Sequence, residues 1–308
     1  METPAITELI DGLRFPEGPV CLPDGSLAFT EIARGEVNVV DVDGSKRTIA
    51  VTGGGPNGLA LGPDGALYLC NNGGCFSWME IGDLLIPGPL PSDWTGGSIQ
   101  RIDLDSGEVT TLYTECDGHP LRAPNDLVFD AEGGFWFTDH GVRDHAARTS
   151  DLTGIYYARP DGSSITMPIF PMEAPNGVGL SPDGSTLYVA ETHTARLYRW
   201  DLEAPGQPVI VPGPSAHGGT QLAAPGGMKL FDSLAVDEDG NVVVGTLGTG
   251  GLTIVAPSGL HDFLELPDPL VTNVCFGGED LRTAYATCSA VGRIISFPWP
   301  HPGLALAF

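Results

Sequence analysis

Six oxygen-bearing side chains occupy one position of a repeated sequence phrase, and they are the first candidates for chemistry. In each copy this residue is followed by a few apolar residues, an acidic residue and, in most copies, a glycine. The position is held by Glu17, Asn57, Asn125, Asn176, Asp232 and Asn273. Carboxylate and carboxamide oxygens are ligands that Ca²⁺ prefers. If the six copies meet in space, this position predicts a site for a divalent cation.

A second repeated position, seven residues later, is explained by local structure. It is held by Asp24, Asp64, Glu132, Asp183, Asp239 and Asp280. An acidic residue before Gly is typical of hairpin turns, because Gly adopts the positive φ that such turns need. Turn chemistry does not require the first position in the same way. The alternative is that the first six residues only cap turns that face a water-filled channel.

The spacing of the phrases predicts the elements that position these residues. Successive members of the first position are 40, 68, 51, 56 and 41 residues apart, and short strand-like runs lie between them. This spacing is typical of four-stranded blades. We predict an all-β fold, a six-bladed β-propeller with four-stranded antiparallel blades around a central channel. A β-solenoid is the disfavoured alternative, since its coils would be shorter and more uniform.

The predicted blades account for the whole chain as one domain, residues 1–308. We expect residues 6–13 to add the outer strand to the last blade, and residues 292–299 to be the third strand of that blade. The first strand of every blade lines the channel of a propeller. The first repeated position therefore predicts a ring of polar side chains at one face, called the inner ring below.

A second polar ring is predicted beside the inner ring. A hairpin of two short strands returns the chain to its starting level. The residues at that return point are Glu31, Asn71, Asp139, Glu191, Thr246 and Thr287. No Lys or Arg is expected to neutralise these acids, so like-charge repulsion would favour a bound cation. We expect calcium, while zinc, manganese and iron(II) are alternatives that such oxygen ligands also accept.

A long insertion at about residues 72–97 interrupts the repeat pattern. Loops of this length are usually functional or mobile. Phe76, Trp78, Met79 and Trp94 predict an apolar lid over the inner ring. The alternative is a surface insertion that packs on its own blade.

Composition limits the class of partner. The chain has 308 residues and a net charge of −25, from 14 basic and 39 acidic residues. Nucleic acids and anionic membranes would be repelled by this charge, so neither is an expected partner. The first residues show no signal peptide and no apolar run approaches the length of a membrane span, which predicts a cytoplasmic protein. The oligomeric state is left open.

The six cysteines do not form the dense pattern of a small secreted domain. Cys21, Cys275 and Cys288 lie in apolar runs and are predicted to be small buried hydrophobic residues. Cys70 and Cys75 bracket a short polar segment, where a disulfide or metal clip is an alternative to two free thiols.

Five segments resemble one known family. FPEGPV at 15–20, APNDLVFDAEGGFWFTD at 123–139, APNGVGLSPDGSTLYVAET at 174–192, FDSLAVDEDGN at 231–241 and VTNVCFGG at 271–278 are similar to the gluconolactonase, regucalcin and luciferin-regenerating-enzyme family. The resemblance implies a six-bladed propeller that holds a divalent metal in the channel mouth, and many members hydrolyse lactones. The pair Asp232 and Ser233 is most similar to the bacterial drug-responsive lactonases.

The resemblance also implies roles for individual residues. Metal ligands match Glu17, Asn176 and Asp232, Asn125 matches the Asn that faces substrate and metal-bound water, and Ser233 adds a ligand oxygen. Many sugar lactonases place a substrate-binding Arg where this chain has Ala123, with Arg122 displaced by one position. This departure argues against recognition of a polyhydroxy sugar acid.

We therefore expect a hydrolase that opens a small-molecule lactone with a metal-polarised carbonyl and an activated water. Asp232 or Asp126 is the expected general base, acting with Asn125. The expected substrate contacts are Asn57, Arg122, His140 and Trp78. No Gly-x-Ser-x-Gly motif supports a serine nucleophile.

Two other functions remain open at this point. The first is a phosphotriesterase or fluorophosphatase reaction at the same site, in which a carboxylate ligand attacks phosphorus. The second is a cation-binding or protein-binding propeller without catalytic activity, in which the inner ring only stabilises the fold.

Overall fold

The computed structural model describes residues 4–308, which form β-strands and no α-helix. Six antiparallel sheets are arranged as the blades of a propeller. From the inner strand outward, blade 1 consists of Pro16–Cys21, Leu27–Glu31, Glu36–Val40 and Lys46–Val51. Blade 2 consists of Pro56–Leu61, Leu67–Asn71, Ser98–Ile102 and Val109–Tyr113. Blade 3 consists of Pro124–Phe129, Phe135–Asp139, Thr153–Ala158 and Ile165–Met172.

Blades 4 to 6 follow the same order from the channel outward. Blade 4 consists of Pro175–Leu180, Thr186–Glu191, Arg196–Ala204 and Thr220–Ala223. Blade 5 consists of Lys229–Val236, Val242–Gly248, Gly251–Val255 and His261–Glu265. Blade 6 consists of Val271–Gly277, Thr283–Cys288, Arg293–Pro298 and Thr7–Ile10. Shorter strands lie outside this pattern: Trp78–Ile81 with Leu84–Pro87, Glu115–Cys116 with His119–Pro120, Arg143–Asp144 with Thr149–Ser150, and Gln207–Pro208 beside Arg196–Ala204.

The inner strands form a closed ring. Each inner strand packs beside the inner strands of the two neighbouring blades, and the inner strand of blade 6 returns to that of blade 1. The predicted six-bladed propeller with four-stranded blades is therefore confirmed, and the solenoid alternative is wrong. Since residues 4–308 contain no helix, they include none long and apolar enough to cross a bilayer.

Both ends of the described chain contribute to blade 6. Strand Thr7–Ile10 pairs antiparallel with Arg293–Pro298, with Thr7 opposite Ser296. The predicted outer strand and third strand of the last blade are therefore confirmed. Pairing of an early strand with a late one closes the circle by backbone hydrogen bonds.

Close approach between inner strands depends on the glycine directly after the inner-ring residue in blades 1, 2 and 4. A Cβ on Gly18 would lie 2.4 Å from the Asn57 carbonyl oxygen, and a Cβ on Gly58 would lie 2.7 Å from that of Asn125. Neither distance is compatible with a side chain. The absence of a Cβ therefore lets the first three blades converge near the axis.

The apolar core lies between neighbouring blades rather than around the channel. One cluster joins blades 3 and 4 through the fully buried rings of Trp136 and Trp200. Equivalent clusters of Val, Leu, Ile and aromatic residues fill the other junctions. Burial of this apolar area supplies most of the stability and leaves the channel face for polar side chains.

The insertion at 72–97 forms a hairpin that reaches beyond its own blade 2. The Leu85 N–H donates a hydrogen bond to the Ala290 carbonyl of blade 6 at 2.8 Å. Trp78 packs on Phe15 with a ring-centroid separation of 5.0 Å, directly before the inner strand of blade 1. Arg14 Nη1 and Glu80 Oε1 form an ion pair at 2.8 Å. The alternative of packing on its own blade is therefore wrong.

The predicted composition of the lid is only partly correct. Trp78 packs near Phe76, with ring centroids 6.2 Å apart. Met79 is 41% exposed and faces solvent. Trp94 is not part of this hairpin, and its Nε1–H donates to the Asn72 carbonyl at 2.9 Å. The hairpin, from Trp78 to Pro87, is called the lid hairpin below.

Candidate active site

All six residues of the inner ring are buried, and each lies near the start of its inner strand. In blades 1 to 4 a proline directly precedes the ring residue, which fixes φ where no ladder N–H is required. In every blade the pairing with the second strand shifts register at this point. Such irregularities redirect side chains. They turn the ring residues toward the channel, and the sequence alone did not reveal them.

Glu17 and Asn273 form the part of the ring where blades 1 and 6 meet. Asn273 Nδ2 donates to Glu17 Oε2 at 2.8 Å, and the Gly18 N–H donates to the same oxygen at 2.6 Å. Asn273 Oδ1 accepts the Val274 N–H at 2.7 Å. Asn273 therefore orients Glu17, and both of its own polar atoms are occupied.

Asn176 is held with its carbonyl oxygen toward blade 5. Its Nδ2 donates to Thr192 Oγ1 at 3.1 Å, and Ser233 Oγ donates to its Oδ1 at 3.2 Å. The Asn176 side chain also hydrogen bonds the carboxyl of Asp232. Thr192 was not predicted as a site residue. Its only sequence signal is its place next to Glu191, at the end of a second strand.

Asn125 carries an unused acceptor. Its Oδ1 is buried and has no hydrogen-bond partner among the described residues. An unpaired buried carbonyl oxygen is costly, so such an atom in a folded protein calls for an explanation. A cation or a water bound at the ring would satisfy it. Asn57 is buried at the equivalent position of blade 2.

Three carboxyl groups influence one another across the channel. Burial raises the pKa of Asp232 well above its ordinary value, and the charge of Glu17 raises it further. Burial also raises the pKa of Glu17. The pKa of Asp126 is raised to about 8, first by burial and then by the charge of Glu17. Three acids that disfavour one another's charge form a region that attracts a cation.

Asp126 also links inner strands. Its Oδ1 accepts the N–H of Leu127 at 3.0 Å, and its Oδ2 accepts the N–H of Val178 in blade 4 at 3.3 Å. The backbone of Leu234 in blade 5 contributes a further hydrogen bond. The side chain therefore reaches from blade 3 to blades 4 and 5, in addition to any role in catalysis.

The second ring lies where it was predicted, but its oxygens are already occupied. Its acids and amides accept backbone N–H groups from the segments that lead into the inner strands. The bonds run from Arg14 to Glu31, from Gly55 to Asn71, from Arg122 and Ala123 to Asp139, and from Glu173 to Glu191. These residues fix the chain just before the inner ring.

The expectation that no basic residue neutralises the second ring is wrong. Glu31 is fully buried and forms ion pairs with Arg34 and Lys46. Both basic residues follow Glu31 closely in the sequence and lie on the same blade. Repulsion among the acids of the second ring therefore favours a bound cation less than predicted. The acids of the inner ring remain as the groups that attract a cation.

Three of the four predicted substrate contacts, Arg122, His140 and Trp78, lie outside the inner ring. Arg122 Nε donates to Asp151 Oδ2 at 2.8 Å, and its guanidinium lies 4.5 Å from the centroid of the Trp94 ring. Its charge is therefore already paired.

The other two of these predicted contacts are half-buried. His140 packs edge-on against His193 with ring centroids 5.4 Å apart, and burial lowers the pKa of both imidazoles, that of His193 to about 3. Trp78 belongs to the lid hairpin, where it covers Phe15.

The donors available for a metal are mainly oxygens of carboxylates and amides. Within residues 4–308, no group of three or more His, Cys, Asp or Glu side chains is placed to hold a metal ion. The inner ring instead combines Glu17 and Asp232 with the amides of Asn125 and Asn176 and the hydroxyl of Ser233. Such a mixed oxygen set suits calcium better than zinc. The unpaired Asn125 Oδ1 is the observation that fits a cation most directly.

Sequence comparison identifies related proteins. Residues 15–290 match the family model described as the SMP-30/Gluconolactonase/LRE-like region. A lactonase drp35 of Staphylococcus haemolyticus (strain JCSC1435) is 30% identical over 247 residues, which are 79% of this chain and 66% of that protein. A lactonase drp35 of Staphylococcus aureus (strain MRSA252) is 28% identical over 80% of this chain and 65% of its own length. The chain thus covers slightly less than two thirds of these relatives.

Solved structures share the fold. A gluconolactonase from Xanthomonas campestris superposes with a TM-score of 0.74 at 22% identity, covering 96% of this chain and 89% of that chain. Regucalcin from Agrobacterium tumefaciens, described as a calcium-binding protein, gives a TM-score of 0.74 at 19% identity, covering 99% of this chain and 100% of that chain. At these identities the likeness establishes the propeller fold alone.

Proposed function

This chain belongs to the SMP-30/gluconolactonase/LRE-like family, and we propose that it is a metal-dependent lactonase with calcium as its ion. We further propose that residues 1–308 act as one propeller domain with the site at the mouth of its channel. The names of the relatives support a lactone substrate, and the oxygen-rich inner ring supports the cation. The resemblance to this family, recognised from five sequence segments, is confirmed.

One observation carries the proposal. Glu17 of blade 1 and Asp232 of blade 5 are buried, and the charge of Glu17 raises the pKa of Asp232, while the Asn125 Oδ1 of blade 3 has no hydrogen-bond partner within residues 4–308. A fold that needed these groups only for stability would pair them, as it pairs the second ring. Unpaired acceptors and uncompensated acids at one place are instead typical of a ligand site.

Different residues of the inner ring have different proposed roles: binding the ion, positioning the water and accepting its proton. Glu17, Asn176 and Asp232 would hold the ion, with Ser233 and Asn125 as further oxygen donors. When bound, calcium supplies a Lewis acid that polarises the lactone carbonyl. Asn125 Oδ1 accepts a hydrogen bond from the attacking water and so holds it in place. Asp232 takes the proton of that water.

Neighbouring side chains orient the proposed metal ligands by hydrogen bonds. Asn273 fixes the orientation of Glu17, and Thr192 fixes that of Asn176. Asp126, with its pKa near 8, stays the second candidate for the base. Asn57, Arg122, His140 and Trp78 are the proposed contacts to the rest of the lactone. Because Arg122 is already paired with Asp151, it recognises substrate less strongly than a free guanidinium would.

Metal content and activity measured on one preparation test this proposal. Elemental analysis of the purified protein is expected to find about one calcium per chain. A pH-indicator assay with γ- and δ-lactones should show hydrolysis that is lost after chelation and restored by calcium. Turnover of a fluorophosphate but of no lactone would favour the phosphotriesterase alternative. A folded, calcium-loaded protein that hydrolyses neither substrate class would favour the non-catalytic scaffold.

A further inference from the structure

Cys21 and Cys275 face each other at the junction of blades 1 and 6. Their Sγ atoms are 3.9 Å apart, although the two residues are separated by 254 positions in the sequence. Both side chains are half-buried, and both are free thiols. The expectation of small buried hydrophobic residues is confirmed for Cys288, and it is partly correct for Cys21 and Cys275, which are half-buried against an apolar cluster.

The fold brings this pair to the place where the circle closes. Cys21 is the last residue of the inner strand Pro16–Cys21, and Cys275 lies within the inner strand Val271–Gly277. A Cβ on Gly277 would lie 2.2 Å from Cys21 Sγ. The absence of a side chain on Gly277 thus lets the sulfur of blade 1 lie directly against the inner strand of blade 6.

We propose that Cys21 and Cys275 form an oxidation site at which a peroxide links blade 1 to blade 6 by a disulfide. One thiol is oxidised by hydrogen peroxide to a sulfenic acid, with release of one water. The second thiol attacks that sulfur and displaces a second water, which forms the S–S bond. Overall, two thiols and one peroxide give one disulfide and two waters.

The pair differs from the other cysteines of the chain. Cys70, Cys75, Cys116 and Cys288 are all buried. The Cys116 Sγ contacts the Ile165 carbonyl oxygen at 3.9 Å, so it is placed against backbone rather than against sulfur. The half-buried pair is more exposed than these four thiols, and a sulfenic acid formed on one sulfur has a thiol beside it. Burial raises the pKa of Cys275, which disfavours its thiolate form.

The bond would add a covalent closure to a ring that is otherwise closed by strand pairing. It would enclose most of the chain in one loop, and the stabilisation by a cross-link increases with the length of the loop that it closes. The site is independent of the proposed lactonase activity, because it lies among apolar side chains such as Leu9, Ile10 and Tyr285.

Peptide mapping tests the proposal on the full-length protein. The folded protein is treated with hydrogen peroxide, blocked with an alkylating reagent and digested with trypsin without reduction. Cleavage after Arg14, Arg34, Lys229 and Arg282 places Cys21 in peptide 15–34 and Cys275 in peptide 230–282, each with no other cysteine. A species with the summed mass of both peptides, less two hydrogen atoms, is expected, and dithiothreitol should separate it.

Variants and a stability measurement complete the test. Cys21→Ser and Cys275→Ser should each abolish the linked species, whereas the matched control Cys116→Ser should retain it. The melting temperature of the treated wild type is expected to rise by about 5 °C or more, and reduction should reverse the rise. The proposal is overturned if the folded, treated protein yields both peptides unlinked, with Cys21 unmodified or converted to sulfinic or sulfonic acid. It is equally overturned if the linked species forms only after thermal unfolding.

Discussion

The inner ring and the second ring contain the same kinds of residue but differ in the hydrogen bonds that these residues make. In the second ring, Asp139 accepts three backbone N–H groups, from Arg122, Ala123 and Gly141. In the inner ring, Asn125 Oδ1 accepts no hydrogen bond from the described part of the chain, and the charge of Glu17 raises the pKa of Asp232. The two rings are neighbours on the same hairpins. Hydrogen-bond satisfaction therefore separates Asp139, which holds the chain, from Asn125, whose side-chain oxygen is left for a ligand.

The difference also shows why residue type is a weak guide to role. Glu31 and Glu17 are both buried acids of blade 1, yet Glu31 is paired with Arg34 and Lys46. Glu17 receives hydrogen bonds from Asn273 and Gly18, and within residues 4–308 it forms no ion pair with a basic side chain. A buried acid without a basic partner is costly unless it is protonated or bound to a metal ion. The comparison predicts that substitutions in the two rings will separate activity from stability.

The largest expected effect is on activity, from Asp232→Asn in the inner ring. Loss of the base and of one ligand charge should lower kcat/KM for a lactone by about 1000-fold or more. The melting temperature of the calcium-free protein should not fall, because one of the mutually repelling acids is removed. The exposed turn acid of the same blade gives the control, and Asp239→Asn should leave kcat/KM unchanged. A melting temperature lowered as much as activity would contradict the division between the rings.

Asn125→Ala should give a smaller loss of activity with little change in stability. Removal of the acceptor for the attacking water is expected to lower kcat by about 10- to 100-fold. Because Asn125 Oδ1 has no hydrogen-bond partner among the residues that the structure describes, the free energy of unfolding in urea should change by less than about 1 kcal/mol. The idea of an unpaired ligand oxygen would be wrong if this variant were strongly destabilised and its remaining folded fraction were fully active.

Asp139→Ala should show the opposite pattern. Three backbone N–H groups lose their acceptor, so the free energy of unfolding is expected to fall by about 2–4 kcal/mol. Measured per folded molecule, kcat should fall less than 10-fold, since Asp139 acts by fixing the segment before Asn125. Urea unfolding and active-site-normalised rates distinguish the two effects. An activity loss as deep as that of Asp232→Asn, without destabilisation, would assign Asp139 to the inner site.

The last expected effect is a pH dependence of the free energy of unfolding in the calcium-free protein. The pKa of Asp126 is about 8 in the folded chain, above the ordinary value of about 4. Between these values the folded chain holds a proton that the unfolded chain releases, so stability falls as the pH rises from about 4 to about 8. Melting temperatures at pH 5 and pH 8.5 should show this fall, and calcium should reduce it. An Asp126→Asn variant with an unchanged profile would exclude Asp126 as its source.

Much of the fold followed from periodicity. The repeated phrases gave six blades, and the short apolar runs gave the strands, because turn chemistry and alternation are local properties of the chain. The part played by residues 6–13 in the last blade was also predictable, since a propeller must close. The contact between Cys21 and Cys275 was not, because 254 positions separate the two residues and nothing local in either inner strand marks the other.

The sequence predicted which residues belong to the candidate site, but it did not predict the role of each one. The sequence placed Glu17, Asn125, Asn176 and Asp232 in one repeated position. It did not distinguish Asn273, which orients Glu17, from Asn125, whose Oδ1 has no partner within residues 4–308. It also missed Arg34 and Lys46 as partners of Glu31, because pairing across a blade depends on strand register and rotamer.

The sequence by itself determined the number of blades, the positions of the polar rings and the family of the chain. These are carried by local patterns of turn and strand residues, repeated along the chain. Only the tertiary structure decided which oxygens are occupied by backbone N–H groups and which are left for a ligand, and which thiols meet. Those outcomes depend on how strands distant in sequence converge on one axis, where burial makes each unpaired polar atom costly.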